Sequence, residues 1–157
     1  MIIQYLIYIA VLIGIYIILA ISLNLSLGYA GMLNLGHVAL FGIGAYTSSL
    51  LNLNGIPFLL SIISAGLVSA FFGFVLIFAT KKLKGDYYAL ASLGFGFVIY
   101  SLLLNLVGIT RGPLGITGIP RPRIFGFIIK DNSSYLVLVL LFLFITLILF
   151  EKITKSK

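Results

Sequence analysis

The side chains best suited to chemistry in this sequence lie just after its first apolar run. Two asparagines and a histidine, Asn24, Asn34 and His37, follow an almost unbroken stretch of Ile, Leu, Val and Tyr. Three glycines interrupt the apolar pattern in the same segment: Gly28, Gly31 and Gly36. Polar groups at membrane depth are costly, and bent backbone survives there only against protein or a water-filled path. The pattern therefore predicts a broken membrane segment near a substrate route, as transporters build from interrupted helices.

The composition predicts a polytopic membrane protein. The chain has 157 residues, of which 62% are hydrophobic and 8% charged, and its mean hydropathy is +1.27. Soluble domains carry about 25% charged residues, so this chain cannot cover a water-facing surface. We expect no soluble domain and interpret residues 1–157 as a single membrane domain surrounded by lipid.

Several function classes are excluded by the charged and polar residues. The net charge is +7, but the basic residues occur in short stretches between apolar runs, where they orient helices and form no nucleic-acid-binding face. The chain has one histidine, three acidic residues and no cysteine, so neither a catalytic constellation nor a metal site is expected. It also lacks a Walker-type ATP-binding motif. The sequence predicts no enzyme, cofactor or nucleic-acid partner.

Five apolar runs approach the roughly 20 residues that a spanning helix needs. They are Ile2 to about Leu23, about Leu33 to Leu53, Phe58 to Ala79, Tyr87 to about Val107, and about Tyr135 to Phe150. The last run is short and is expected to extend into Ser133 and Ser134 or the Ile153 turn. The segment from Gly28 to Leu35 is alternatively a re-entrant connector. The predicted fold is all-α, with about five transmembrane helices and a broken or re-entrant segment after the first.

The distribution of lysines predicts the orientation of the chain in the membrane. Lys81, Lys82 and Lys84 form the densest basic cluster, which places their loop in the cytoplasm. The N-terminus and the loop from Gly108 to Ser134 are then outside, and the C-terminal tail is inside. The opposing signal comes from four basic residues in that outer loop: Arg111, Arg121, Arg123 and Lys130.

Small residues and two charged residues give further local predictions. Stripes of small residues are expected to mark the packing faces of spans two and three; they are Ala39, Gly42, Ala45 and Ser49, and Gly66, Ala70 and Gly73. Asp86 is predicted to cap the N-terminus of span four. Arg111, among glycines, is either a loop arginine at the interface or part of an anion-binding turn that suits an amino-acid carboxylate.

Three blocks of residues, in order over about residues 23–122, resemble the permeases of the LivM type. The blocks cover residues 23–47, 82–95 and 105–122, and include the strings LNLSLGYAGMLNLGH, KLKGDYYALASLGF and TRGPLGITGIPRP. LivM-type permeases are membrane subunits of ABC importers for branched-chain amino acids. The resemblance implies a multi-pass protein of the cell membrane that works with a second permease subunit, cytoplasmic ATP-binding subunits and an extracytoplasmic substrate-binding protein. The candidates for lining a substrate path, taken from the residues themselves, are Asn24, Asn34, His37 and Arg111. Alternatively, the two asparagines satisfy backbone groups freed by the break, and His37 forms a hydrogen bond between helices.

The length of this chain differs from that of the permeases it resembles. Permeases of the family are roughly twice as long, and nothing here resembles the cytoplasmic coupling segment that docks on the ATPase. The sequence is therefore expected to correspond to an N-terminal half, whether as a truncated gene, a split permease or a partial sequence. Three other functions stay open: a permease for another small polar solute such as urea or amides, a passive channel subunit, and a non-transporting membrane remnant.

Overall fold

The computed structural model describes residues 2–124, 127–129 and 131–155, and its fold is all-α, which confirms the predicted class. The helices are α1 (Ile2–Asn24), α2 (His37–Leu53), α3 (Phe58–Thr80), α4 (Asp86–Asn105), α5 (Val107–Thr110) and α6 (Asn132–Lys155). A π-helical turn, Leu25–Tyr29, continues α1, and a 3₁₀ turn, Gly112–Leu114, follows α5. The strands β1 (Arg123–Ile124) and β2 (Phe127–Ile128) have two residues each.

The chain forms two compact units. One comprises Met1–Gly31 and Phe127–Lys157, and so contains α1 and α6. The other, Met32–Gly126, contains α2, α3 and α4.

Four helices in the described part of the chain are long and apolar enough to cross a membrane. They are Ile2–Tyr29, Phe58–Thr80, Asp86–Asn105 and Asn132–Lys155. These bounds agree with the first, third, fourth and fifth predicted spans, and the last one extends through both Ser133 and Ser134 and the Ile153 turn. In the most apolar stretch of each of these helices, at most 22% of the residues are buried inside the described chain, so most of these residues keep surface for lipid or other protein.

The predicted start of the second span is wrong by one helical turn. Helix α2 begins at His37, whereas residues 31–34 are non-helical and residues 35 and 36 form a turn. The apolar residues Leu33 and Leu35 suggested helix, but the side chain of Asn34 bonds the local backbone instead. At about 1.5 Å per residue, the 17 residues of α2 span about 25 Å, near the lower limit for a crossing helix.

The turn between α2 and α3 is the one that its sequence predicts. Gly55 has a positive φ of 81° and its N–H donates to the Asn52 carbonyl at 3.0 Å. The N–H of Ile56 donates to the Leu51 carbonyl at 3.1 Å. These two bonds form a Schellman motif, which satisfies the last carbonyls of α2. Pro57 then precedes α3, and the two helices run antiparallel.

Helices α2 and α3 approach closely through small residues and one hydroxyl. The Ser69 hydroxyl donates to the Leu40 carbonyl at 2.8 Å. A Cβ on Gly44 would lie 2.9 Å from Ser69 Oγ, and one on Gly73 would lie 3.7 Å from Leu40 Cδ1. Backbones approach this closely in membranes when the facing residues are small.

The predicted packing stripes are therefore only partly right. Gly73 and Gly42 face neighbouring helices, but Gly66, Ala70 and Ala45 are exposed. The buried face of α3 runs through Ser61, Ala65, Leu76 and Thr80. Small residues at a spacing of four occur on both faces of α3, and the face that carries Ser69 can also form a hydrogen bond across the helices.

Helix directions support five crossings. In the first unit, Gly14 packs against Val139, and the Tyr29 ring meets the Phe150 ring edge-on at 5.8 Å. Because residue numbers increase together along both helices, α1 and α6 run parallel. Two helices that cross a membrane in the same direction must have an odd number of crossings between them in the sequence. Helices α3 and α4 alone would give two crossings, so α2 must cross as well to give three.

Asp86 is not the N-cap of α4, contrary to the sequence-based expectation. Gly85 holds that position with a positive φ of 56°, and Asp86 is the first helical residue. Glycine is favoured there because a side chain would strain this conformation. The Asp86 carboxylate instead lies in the first turn, where a negative charge stabilises the helix dipole.

The orientation is testable with single cysteines, since the natural chain has none. We expect a membrane-impermeant maleimide to label Lys82→Cys only from the cytoplasmic side and Arg121→Cys only from outside, because the lysine loop is retained inside. Labelling of intact cells and of inverted vesicles measures this. Val98→Cys, on an exposed apolar position within α4, is the control that should resist labelling from both sides. The reverse pattern would show that the arginine loop determines the topology.

Candidate functional site

Residues 32–36, called the connector here, are non-helical backbone inside the second unit. The Asn34 side-chain oxygen accepts a hydrogen bond from the Gly36 N–H at 3.0 Å. The Leu35 N–H donates to Ser92 Oγ of α4, also at 3.0 Å. The His37 N–H donates to the Asn34 carbonyl at 3.4 Å. Outside a helix, N–H groups in apolar surroundings must find such partners.

Ser92 is the residue of this site that the sequence analysis did not identify. It is completely buried, and its hydroxyl donates to the Ala89 carbonyl at 2.8 Å while it accepts the Leu35 N–H. The available signal was its place in the second family block, KLKGDYYALASLGF, at helical spacing from Ala89 and Gly96. A serine within an apolar helix usually bonds its own turn, so that signal alone does not reveal a partner 57 residues away.

Gly36 brings the connector against α4 at backbone distance. A Cβ on Gly36 would lie 2.6 Å from the Ser92 carbonyl oxygen, which no side chain tolerates. Its φ is −81°, so glycine is needed here for space and not for an unusual dihedral angle. Gly96 lies on the same side, since its Cβ would be 3.8 Å from Gly36 Cα. The first and second family blocks therefore touch.

In the first unit, the candidate residues surround the π-helical turn. Asn24 ends α1, and a Cβ on Gly28 would lie 2.8 Å from Asn24 Oδ1. Gly31 has a φ of +64°, and a Cβ there would have no neighbour within 4 Å in the part of the chain that the structure describes. Gly31 is thus required for its backbone conformation. Single π-helical turns frequently occur at functional sites.

His37 is half-buried at the start of α2. Over residues 2–124, 127–129 and 131–155, its imidazole has no hydrogen-bond partner. The same holds for the side-chain nitrogen of Asn34, whose oxygen is occupied by Gly36. Both groups can therefore bind a polar solute or a partner protein.

Arg111 lies at the other end of α4, in a backbone conformation that is uncommon for its residue type. Its φ is 60°, and its Nη1 donates to Thr117 Oγ1 at 2.9 Å while the side chain stays exposed. The buried Thr110 hydroxyl contacts the Leu103 carbonyl at 2.6 Å and accepts the Gly112 N–H at 3.2 Å. These bonds fasten the third family block to the end of α4.

The structure brings Asn34, Gly36 and His37 together but keeps Arg111 apart from them. Asn105, the last residue of α4, follows Ser92 by thirteen positions, which is about 20 Å at 1.5 Å per residue. Arg111 follows beyond that end. A solute bound at the connector would therefore be out of reach of the guanidinium.

Four helices in the described part of the chain that are long and apolar enough to cross a membrane define a multi-pass membrane protein. Residues 5–157 match the family described as "Branched-chain amino acid transport system / permease component", and the chain belongs to this family of transport permeases. The resemblance predicted from the three blocks is thereby confirmed.

Two curated relatives are similar over part of their length. The chain is 51% identical over 87 residues to the high-affinity branched-chain amino acid transport system permease protein LivM of Salmonella typhimurium. It is 48% identical over 87 residues to the LivM protein of Escherichia coli. Each alignment covers 55% of this chain but only 20% of the relative. No solved structure matches the chain.

The conformation of Gly31 predicts different effects for two substitutions. Leucine is strained at a positive φ by roughly 1–2 kcal/mol, whereas asparagine adopts this region more readily. We expect Gly31→Leu to lower the thermal midpoint of the purified protein by about 2–8 °C and Gly31→Asn to leave it nearly unchanged. Gly66→Leu is the matched control, because that glycine also has open space but lies within a regular helix. Equal midpoints for the leucine and asparagine variants of Gly31 would contradict the assigned constraint.

Proposed function

We propose that this chain is a permease subunit of an ABC importer that carries branched-chain amino acids across the cell membrane. The observation that supports this most strongly is the family match over residues 5–157. The names of the two LivM relatives supply the substrate class, since both are branched-chain amino acid permease proteins.

The proposal includes partner subunits. Because the chain has no Walker-type motif, ATP hydrolysis is assigned to separate cytoplasmic ATP-binding subunits. A second permease subunit completes the pathway, and an extracytoplasmic binding protein delivers the substrate. The predicted orientation puts the loop of Lys81, Lys82 and Lys84 on the side of the ATP-binding subunits.

The connector is proposed as part of the substrate route. An amino acid presents a carboxylate, an ammonium group and, in this class, a branched apolar side chain. The Asn34 amide nitrogen can donate to the carboxylate, and the neutral His37 ring can either donate or accept. Leu33 and Leu35 are 40% and 44% exposed and offer apolar surface beside these groups.

Other candidate residues are proposed separately from the connector. In the first unit, Asn24 is a candidate for lining the route, and Gly28 and Gly31 are candidates for bending the backbone. Arg111 is proposed as a cation of the outer loop that attracts the substrate carboxylate before entry. It still has donors for this role, because only one of its nitrogens is engaged by Thr117.

The test is reconstitution of the chain in proteoliposomes with the binding protein, the second permease subunit and the ATP-binding subunits of a LivM-type system. Parallel samples contain or omit a further polypeptide that supplies the remaining length of a LivM relative. We expect leucine uptake that requires ATP, well above the uptake in the same sample without ATP.

The alternatives predict different results in the same assay. Uptake of urea without leucine would replace the substrate class. Leucine flux that does not require ATP would indicate a passive channel. Failure to move either solute in both samples would identify a non-transporting membrane protein and contradict the proposal.

His37→Ala tests whether the imidazole lines the route. Because the ring has no partner in the described part of the chain, its removal should leave the amount of folded protein nearly unchanged. Loss of one substrate hydrogen bond of about 1.4 kcal/mol would raise the KM for leucine about tenfold. Asn54→Ala, at the opposite end of α2, is the control and should leave the KM unchanged. Equal KM values for the wild type and His37→Ala would remove His37 from the route.

A further inference from the structure

We propose that Ser92 is a positioning residue for substrate binding, because its hydroxyl holds the connector in the arrangement that presents Asn34 and His37. The inference rests on the proposed function and assigns a role to a residue of α4 that does not itself touch the substrate. The interaction that carries it is the hydrogen bond from the Leu35 N–H to Ser92 Oγ.

The Ser92 hydroxyl is oriented before it meets the connector. Its hydrogen is directed to the Ala89 carbonyl at 2.8 Å, so a lone pair is available for the Leu35 N–H at 3.0 Å. Ser92 is completely buried, which removes water as a competing partner. A hydrogen bond sheltered in this way has a defined direction and fixes the backbone that donates to it.

A hydrogen bond to the Leu35 N–H acts on the backbone between the two side chains proposed to bind substrate. Leu35 lies between Asn34 and Gly36, and the Asn34 side chain already bonds the Gly36 N–H. His37 follows immediately as the first residue of α2. A displacement of the Leu35 backbone would therefore move both groups proposed to bind substrate.

Gly36 completes the arrangement from the opposite side. The Ser92 carbonyl would lie 2.6 Å from a Cβ on Gly36, so the connector fits against α4 only with glycine at this position. One residue of α4 thus supplies both a hydrogen bond and a steric limit to neighbouring connector residues. The hydroxyl sets the direction of the connector, and the carbonyl sets its distance.

Ser61 shows what a purely structural buried serine looks like in the same unit. It is also completely buried, but its hydroxyl reaches only carbonyls four and five residues earlier, that of Pro57 at 3.2 Å and that of Ile56 at 3.4 Å. Such bonds stabilise the local start of α3 and hold no segment that is distant in the sequence. Ser61→Ala is therefore the matched control for Ser92→Ala.

The first measurement is hydrogen–deuterium exchange of the Leu35 amide in the purified protein, which requires no transport. We expect Ser92→Ala to accelerate this exchange about tenfold, as loss of one hydrogen bond implies. Ser92→Thr, which keeps the hydroxyl, should stay within about twofold of the wild type, and Ser61→Ala should not change the exchange. Ser92→Cys keeps nearly the same volume with a weaker acceptor and should fall between the two.

The second measurement separates positioning from stability. In the reconstituted importer, Ser92→Ala should raise the KM for leucine about fivefold while the maximal rate per folded protein stays the same, because fewer connectors hold the binding-competent arrangement. Ser92→Thr should restore the KM. Gly36→Ala should raise the KM as well, whereas Gly96→Ala, whose Cβ has room, should not.

Each result decides the inference. Unchanged Leu35 exchange in Ser92→Ala would show that the hydroxyl does not hold the connector, and faster exchange with an unchanged KM would show that it holds the connector without positioning anything for substrate. Either result overturns the inference while leaving the proposed function intact. If the wild type moves no leucine but exchange still responds to Ser92→Ala, the proposed function and the affinity role fail together, and only the structural bond remains.

Discussion

A backbone N–H or C=O group in a bilayer must find its partner within the protein, and the rest of this structure depends on that constraint. It explains why the apolar runs are helices, since a helix pairs these groups within one segment. It also explains why a break between helices is possible at only a few places. The connector is non-helical, but its Leu35 and Gly36 N–H groups are bonded by a buried serine and an asparagine oxygen. Without these partners, the same sequence would gain by continuing α2 toward its N-terminus.

The packing of α2 against its neighbours follows from the weakness of the hydrophobic effect between helices in a membrane. Lipid chains are as apolar as leucine, so helices associate through close contact and hydrogen bonds with little help from the hydrophobic effect. Gly44 lets the Ser69 hydroxyl reach the Leu40 carbonyl, and Gly36 lets the connector reach α4. Glycine and serine thus act in pairs. The glycine permits the approach, and the serine supplies the bond that the approach makes possible.

Much of the fold was predictable because span length, turn residues and charge act locally. The apolar runs gave the bounds of α1 and α3 within a few residues, and Asn54 and Gly55 marked the turn before α3. The start of α2, the packing face of α3 and the role of Ser92 were not predictable in the same way. Each depends on which distant residue lies opposite, as Ser92 lies opposite Leu35.

Helix α4 connects the three family blocks, because it contains part of the second block and forms hydrogen bonds with the other two. Its first half holds the connector, which belongs to the first block, and its last residues are fastened to the Arg111 turn of the third block. With the lysine loop in the cytoplasm, Ser92 lies six residues from the inner end of α4, and Thr110 lies beyond its outer end. A regular helix changes little in length, so the arginine turn and the connector keep a fixed separation of about 20 Å along it. In the proposed function, attraction of a substrate by Arg111 and recognition by Asn34 and His37 are therefore successive events on opposite halves of the membrane, and a movement of α4 would affect both.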